Sequence, residues 1–174
     1  MGKGRYIRNR TAAWEDLPAI LELRFERSRW LAGRGSPMLQ DHATGIRQIC
    51  RFLEDGEMRV VTDQLRHPAT GMAAAYALTA RHELYWDGDE PEQALYLHKV
   101  MTGTGYSGLG EYLVRTCENE ARRQGKKHLR LNCHAGAEAA GLHKYWEKRG
   151  FAHVRTVHLP GRTTGALFQL ETGA

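Results

Sequence analysis

The sequence predicts a single domain, residues 1–174, built from a mixed β-sheet with helices on its faces. Three observations lead to this prediction. Apolar residues make up 41% of the 174 residues, which is ordinary for a globular protein and sufficient for one sizeable core. Segments with the alternating pattern of strands are interleaved with segments of helical periodicity. No repeat, low-complexity stretch or linker divides the chain.

The first half of the chain begins with a short alternating segment, followed by two stretches in which apolar side chains recur every three or four residues. Glycine- and proline-containing segments end both stretches. Short apolar and β-branched runs then flank a turn at His67–Gly71. The predicted elements are a strand at Tyr6–Arg10, helices at about Trp14–Leu31 and Asp41–Leu53, and strands at Met58–Thr62 and Met72–Thr79.

The second half alternates strands and helices. A polar loop, Arg81–Gln93, precedes a strand, and that strand leads into a glycine-rich loop, Gly103–Gly110. In the helix that follows, apolar residues stand four apart and Gly125 suits the position after the C-cap. The predicted elements are strand Leu95–Met101, a helix ending near Gln124, strand Leu129–Cys133, helix Glu138–Arg149, and strands Phe151–Leu159 and Ala166–Glu171. The resulting order is β-α-α-β-β-β-α-β-α-β-β.

Charge and cysteine content argue against several classes of protein. The net charge of +5 is too small to indicate nucleic-acid binding. Cys50, Cys117 and Cys133 are odd in number and widely spaced, so we expect neither a disulfide framework nor a metal site. The same cysteine content leads us to expect a cytoplasmic location. The longest apolar stretch, Met72–Leu78, is too short for a membrane span, and the N-terminus lacks the apolar region of a secretory signal.

The glycine-rich loop is the most specific local signal. Glycines allow close approach of backbone to ligand, and a helix N-terminus offers N–H groups and partial positive charge, so the loop suits a pyrophosphate. Gly103-x-Gly105-x-x-Gly108 matches the dinucleotide fingerprint. That fingerprint requires an acidic residue about 20 residues further on. The next predicted strand carries no carboxylate, so an NAD-binding protein is retained only as an alternative.

One step later in the loop, Gly105-x-x-Gly108-x-Gly110 followed by a helix resembles the pyrophosphate loop of the GCN5-related N-acetyltransferase (GNAT) family. Tyr96–Met101 resembles the strand that leads into that loop, and Leu142–Phe151 resembles the family's closing helix-to-strand motif. The resemblance covers nearly the whole chain. It implies a mixed, mostly antiparallel sheet flanked by helices, with the fourth and fifth strands splayed apart to admit the cofactor.

The cofactor implied by the resemblance is acetyl-CoA. Backbone N–H groups of the loop would hold its pyrophosphate, and backbone near Val100 and Met101 would pair with the pantetheine arm and polarise the thioester carbonyl. The cofactor-binding residues implied are Val100, Met101, Gly105, Tyr106, Ser107, Gly108, Leu109, Gly110 and Trp146. The family often has Arg or Gln where this chain has Gly105, so Arg122, Arg123 or a lysine is expected to compensate.

The resemblance places Trp146 where the family usually has the tyrosine that donates a proton to the CoA thiolate. An indole N–H is not a useful acid. Three alternatives stay open. Tyr145 serves, although it points about 100° away around a helix. Another group serves, such as Cys133 or a water. Or no dedicated acid exists. We name Tyr145 as the catalytic residue to test.

A general base is not evident from the sequence. His98 on the fourth strand has a suitable pKa range and is named as the second catalytic residue. His134, just past the fifth strand, and Glu83, in the polar loop, are alternatives. A relay through bound water would need none of them.

The resemblance implies an acetyl-CoA-dependent N-acetyltransferase that acts by direct transfer on a primary amine of a small molecule. Neither nucleic acid nor membrane is an expected partner, and the oligomeric state is left open, a homodimer included. The alternative is a CoA-binding or regulatory module of this fold without transferase activity. Two departures from the family pattern motivate that alternative: Trp146 and Ala139, the latter standing where the family often has Asn.

Overall fold

A computed structural model of the protein describes residues 7–36, 38–63, 71–81 and 83–173. Its helices and strands follow the predicted order. They are β1 (Ile7–Thr11), α1 (Leu17–Ala32), α2 (His42–Glu54), β2 (Met58–Asp63), β3 (Met72–Thr79), β4 (Ala94–Thr102), α3 (Leu109–Arg123), β5 (His128–His134), α4 (Ala140–Glu147), β6 (Ala152–Val157) and β7 (Gly165–Glu171). Tyr6 of the predicted first strand and residues 67–70 of the predicted turn lie outside the described residues.

The seven strands form one sheet in the order β1-β2-β3-β4-β5-β7-β6. The β1–β2, β2–β3, β5–β7 and β6–β7 pairs are antiparallel, whereas β4 and β5 pair in parallel from Ala94–His128 to Tyr96–Arg130. This confirms the predicted mixed, mostly antiparallel sheet flanked by helices. It also contradicts the NAD-binding alternative, because the dinucleotide fold is built on a mostly parallel sheet.

The first helix begins later than predicted, where a side chain bonds to the backbone ahead of it. The helix predicted from Trp14 begins at Leu17, after a 3-10 turn. The Asp16 carboxylate accepts a hydrogen bond from the Ala13 N–H at 2.9 Å and pairs with Arg10 at 2.6 Å. The hydrogen bond from Arg10 holds the pKa of Asp16 below its usual value. Three further 3-10 turns lie at Leu84–Trp86, Pro91–Gln93 and Ala137–Ala139.

The chain divides into two compact units. The first unit comprises Met1–Ala77 and Lys99–Leu109, and the second comprises Leu78–His98 and Gly110–Ala174. In the first unit, apolar residues of both helices pack with the inward residues of the strands. The buried members of this core are Ala12, Ile20, Leu23, Ile49, Leu53, Met58, Val60, Met72, Ala75, Ala77 and Met101.

A buried arginine ties α1 to the start of α2 in the first unit. Arg24 is 2% exposed, and its Nη2 donates to the carbonyls of Asp41 at 2.9 Å and Leu39 at 3.3 Å. Asp41 in turn caps α2 by accepting from the Thr44 N–H at 3.0 Å. A Cβ at Gly45 would overlap the Arg24 guanidinium, so the helix needs glycine at this position.

The second unit has its own core around an indole. Trp86 is 1% exposed and packs with Tyr85, Ala94, Tyr96 and Leu167. The buried Arg130 guanidinium lies 4.8 Å from the Trp86 ring centroid, and its Nε donates to Gln169 at 2.8 Å. A polar segment of the sequence, 81–93, is thereby anchored on the sheet.

No helix among the described residues combines the length and the apolar character that a membrane span needs. Within the same residues, no group of three or more His, Cys, Asp or Glu side chains is arranged to hold a metal ion.

The Arg24–Gly45 contact generates a stability prediction. We expect Gly45→Ala to lower the free energy of unfolding by about 1–3 kcal/mol, because the new methyl must displace a buried guanidinium from its carbonyl partners. Gly141→Ala is the matched control, since Gly141 is also helical and has nothing within 4 Å of an added Cβ. It should raise that free energy by roughly 0.5–1 kcal/mol. Urea denaturation of both variants checks this, and equal effects would contradict the assigned contact.

Candidate active site

β4 is distorted within the segment predicted to polarise the thioester. Lys99 has a φ of 53°, a left-handed conformation that non-glycine residues rarely adopt. Its neighbours His98 and Val100 are half-buried, and the Met101 side chain packs in the core of the first unit. Strained backbone concentrates at functional sites, so the distortion is consistent with a functional role for backbone near Val100 and Met101.

The glycine-rich loop is anchored at its start and open in its middle. The Gly103 N–H donates to the Ala73 carbonyl at 2.8 Å, and the Thr104 hydroxyl donates to Glu26 of α1 at 2.6 Å. Gly105 and Gly108 have φ values of 80° and 81°, and nothing lies within 4 Å of a Cβ added at either. Both glycines are exposed, and the space in which a side chain would begin is open at each.

The loop ends by entering α3. Leu109 is buried, which fixes the start of the helix, whereas Ser107 and the two positive-φ glycines are exposed. The Tyr106 ring packs 3.4 Å from the position of a Cβ at Gly103. N–H groups in the first turn of a helix have no carbonyl partner within the helix, so this end of α3 favours an anion.

In the second unit, two side chains lie against Gly110 of α3. One is Tyr145 of α4, and the other is Arg149, which follows the end of α4. The Tyr145 hydroxyl occupies the space that a Cβ at Gly110 would take, and Arg149 Nη2 lies 3.2 Å from the same point. The Arg149 guanidinium stacks on the Tyr145 ring, with Cζ 3.3 Å from the ring centroid, and Nη1 donates to the Tyr145 carbonyl at 3.0 Å. Its Nε is buried and bonds to no described residue.

Trp146 lies in the core beside this pair. It is 6% exposed, and its indole packs edge-on against Tyr145 and Phe151, with ring centroids 5.0 and 5.5 Å apart. The side chain at the position of the family's usual tyrosine is thus part of the core, and the tyrosine hydroxyl on this helix comes from the preceding residue. The predicted contact between Trp146 and the cofactor stays a prediction.

The expectation that Arg122 or Arg123 compensates for Gly105 is wrong. Both lie in the last turn of α3, roughly 18 Å along the helix axis from Gly110. Arg122 bonds to the Thr172 carbonyl and pairs with Glu118, and Arg123 pairs with Glu120 at 2.7 Å. Among the described residues, Arg149 supplies a cation beside Gly110.

The proposed proton-transfer groups differ in their surroundings. Burial raises the pKa of the Cys133 thiol to about 12, which makes it a weaker acid than a tyrosine with an ordinary pKa of about 10. Glu83 caps a 3-10 turn by accepting from the Tyr85 N–H at 3.1 Å, which gives it a structural role. His134 ends β5, and its Nε2 lies 2.5 Å from Glu138 Oε1.

Two residues of this region were missed by the sequence reasoning, Arg149 and Glu138. Each stands four residues after its partner, Arg149 after Tyr145 and Glu138 after His134. On a helix, residues four apart share a face, so the spacing of Tyr145 and Arg149 was a usable signal. The turn that brings Glu138 back to His134 is not helical throughout and left no such signal.

Comparison with known proteins agrees with this architecture. No protein-family model matches the chain. The uncharacterized N-acetyltransferase YesJ of Bacillus subtilis (strain 168) is 26% identical over 144 residues, covering 80% of this chain and 78% of that protein.

Solved structures extend the likeness to the whole chain. A GNAT-family acetyltransferase from Listeria monocytogenes superposes with a TM-score of 0.73 at 22% identity, covering 97% of this chain and 98% of that one. The protein yncA from Salmonella typhimurium, solved with its cofactor acetyl-CoA, gives a TM-score of 0.59 at 17% identity, covering 95% and 94%. These comparisons confirm the fold that the sequence predicts and the resemblance to the GNAT family.

Proposed function

We propose that the chain is an acetyl-CoA-dependent N-acetyltransferase that transfers an acetyl group directly to a primary amine of a small molecule. The observation that carries this proposal is the glycine-rich loop, in which Gly105 and Gly108 are exposed and have positive φ values. The acetyltransferase fold of the chain and the acetyl-CoA held by yncA support it.

The residues present fit a CoA molecule. The exposed, positive-φ Gly105 and Gly108 leave backbone accessible for a pyrophosphate, and the first turn of α3 favours negative charge. Arg149 supplies a cation beside Gly110, and its buried Nε has no described partner to satisfy it. A phosphate oxygen there would satisfy that donor through a charge-assisted hydrogen bond.

When bound, acetyl-CoA supplies the acetyl group as a thioester. Backbone N–H near Val100 and Met101 is the donor we assign to the carbonyl oxygen, where negative charge develops. The Tyr145 hydroxyl is the group we assign to protonate the departing sulfur, since the structure places it at the start of α3 and Trp146 has no acidic proton. His98 stays a candidate for accepting the amine proton.

The acceptor is proposed at the level of class. A small-molecule primary amine fits a chain whose modest positive charge gives no sign of a nucleic-acid partner. A cytoplasmic location and a homodimer belong to the same proposal, and neither affects the assignment of residues.

A first test separates an acetyl-CoA enzyme from a module that only binds the cofactor. At a concentration 100 times its Kd, acetyl-CoA should stabilise the protein by about 2.7 kcal/mol, since it binds the native state. That raises Tm by roughly 5–10 °C for a chain of this size. NADH at the same concentration should leave Tm unchanged, and a shift with NADH alone would overturn the proposal. CoA-thiol release across a panel of primary amines completes the test, because stabilisation without release with any amine indicates a module.

A second test concerns the proton donor. Tyr145→Phe keeps the ring that stacks under Arg149 and removes only the hydroxyl. We expect kcat to fall about 100-fold with little change in the KM of acetyl-CoA. Tyr112→Phe, a matched change on α3, should keep wild-type kinetics. An unchanged kcat in Tyr145→Phe would show that no acid is needed at this position.

A third test isolates the role of Arg149. Arg149→Gln should raise the KM of acetyl-CoA roughly tenfold, the loss expected for one charge-assisted hydrogen bond. With acetyl-pantetheine, which lacks the pyrophosphate, wild type and variant should have the same kcat/KM. Arg123→Gln at the far end of α3 should leave the KM of acetyl-CoA unchanged. A defect of Arg149→Gln that persists with acetyl-pantetheine would assign Arg149 to the support of Tyr145 instead of to phosphate.

A further inference from the structure

The end of β5 carries a histidine held by a carboxylate. His134 Nε2 lies 2.5 Å from Glu138 Oε1, and both side chains are partly exposed, at 28% and 36%. Hydrogen bonds from the Glu138 N–H and from His134 hold the pKa of Glu138 below its usual value. The carboxylate therefore stays charged at neutral pH and favours the tautomer of His134 with its proton on Nε2. Nδ1 is then left with a lone pair that can accept a proton.

The turn between the two residues is shaped to permit this pair. A Cβ at Gly136 would overlap both Glu138 carboxylate oxygens and lie 2.5 Å from His134 Nε2. A larger residue at position 136 would therefore require the Glu138 carboxylate or the His134 ring to move. The backbone of His134 is fixed as well, because its carbonyl lies 2.8 Å from Nε2 of His143 on α4.

His134 and Glu138 lie at the end of β5, at a place in the sheet where ligands commonly bind. The parallel pairing of β5 with β4 ends at Arg130, and β5 continues for four more residues beside β7. The carboxyl end of a parallel strand, where its neighbour stops pairing, is where open α/β sheets bind ligands. His143, which holds the His134 carbonyl, is two residues from Tyr145 on α4, so one helix supports both groups.

Other titratable side chains of the second unit lie near the pair. Gly165 lies opposite His134 on β7, and a Cβ at Gly165 would meet the Tyr85 ring at 2.9 Å. Opposite residues of an antiparallel pair point to the same face, so the Tyr85 ring lies on the His134 side of the sheet. The titratable groups around His134 are Glu138 from the 3-10 turn, His143 from α4, Tyr85, whose hydroxyl donates to the Thr163 carbonyl, and Cys133, kept protonated by burial.

We propose that His134 is the general base of the transfer reaction and that Glu138 is the residue that positions it. This inference rests on the proposed acetyltransferase function and deepens it by naming the acceptor class, a primary aliphatic amine that arrives as an ammonium ion. Such amines have pKa values near 10, so the amine must lose a proton before it can attack.

In the proposed reaction, the acetyl group moves from the CoA sulfur to the acceptor nitrogen. The acceptor ammonium gives one proton to His134 Nδ1, and the freed nitrogen lone pair forms the C–N bond to the thioester carbonyl carbon. The C–S bond breaks, its electron pair stays on sulfur, and sulfur takes a proton from the Tyr145 hydroxyl, which solvent then reprotonates. The nitrogen loses its second proton to solvent, and His134 later releases its own. One amide, one CoA thiol and one net proton are formed from the ammonium and acetyl-CoA.

The experiment uses the full-length protein, acetyl-CoA and the best aliphatic acceptor from the amine panel. His134→Gln should lower kcat/KM for the amine about 100-fold at neutral pH. Gly136→Ala should produce a similar loss while retaining both members of the pair, because the methyl displaces them. His128→Gln is the matched control, since His128 starts the same strand and its Nδ1 lies 3.1 Å from Glu171, and it should keep wild-type rates.

The pH profile supplies a readout that a structural role would not move. Glu138→Gln removes the negative charge 2.5 Å from the proposed base, so it should move the acidic limb of the kcat/KM profile to lower pH, whereas His128→Gln should keep the wild-type profile. With an acceptor amine that is already neutral at neutral pH, the defect of His134→Gln should nearly disappear. A Tm within a few degrees of wild type for each variant excludes a loss through unfolding.

The outcomes separate this inference from the proposed function. Wild-type protein that releases no CoA thiol with any amine overturns the proposed function. An active wild type whose His134→Gln variant keeps its rate and pH profile overturns the base assignment alone. In that second case, loss of the acidic limb in His98→Gln assigns the base to β4 instead.

Discussion

The close approach of α4 to the first turn of α3 at Gly110 is the contact on which the candidate site depends. A side chain larger than hydrogen at Gly110 would occupy the place of the Tyr145 hydroxyl. Because that space is open, the Tyr145 ring can reach the start of α3, and Arg149 can stack on its outer side. The acid and the cation that we assign to the cofactor are therefore positioned by one glycine of the loop motif. The motif has two physical roles, access of ligand to backbone and access of α4 to α3.

The same contact explains how a tryptophan can stand where the family has tyrosine. Trp146 points into the core and packs on Phe151, which frees the preceding residue to face Gly110. Neighbouring helical residues differ in direction by about 100°. A tyrosine at 145 and a tyrosine at 146 can therefore reach the same point only if the helix rotates or shifts between the two cases. The large indole of Trp146 is buried, and its burial gives a physical reason for α4 to be rotated or shifted in this way. In this arrangement a tyrosine hydroxyl is still present on the face of α4 that meets Gly110, one residue before the motif position.

Periodicity and turn residues were enough to predict the order of all eleven helices and strands, because each is long enough for its apolar pattern to be seen. The glycine loop was also predictable, since it is a local motif. The partners of the site were not. Arg122 and Arg123 looked available in the sequence, but each is held by groups near it in space, and Glu138 meets His134 only through a turn that depends on Gly136. Residues that act through tertiary contacts leave little trace in sequence spacing.

Arginine accounts for 19 of the 25 Lys and Arg residues, and internal structure explains this excess better than one anionic ligand does. Arg24 and Arg130 are buried, and their described hydrogen-bond partners are backbone carbonyls and neutral side chains. Guanidinium suits this role because its five fixed donors can be satisfied by several carbonyls at once. In α3, arginines pair with glutamates one turn away on the same helix. Arg149 differs from these residues in combining a stacked ring, a backbone carbonyl and a buried Nε with no described partner. An unsatisfied charged donor at that depth costs free energy, and an anion bound at the start of α3 would recover it, which is the physical basis for assigning this arginine to the cofactor.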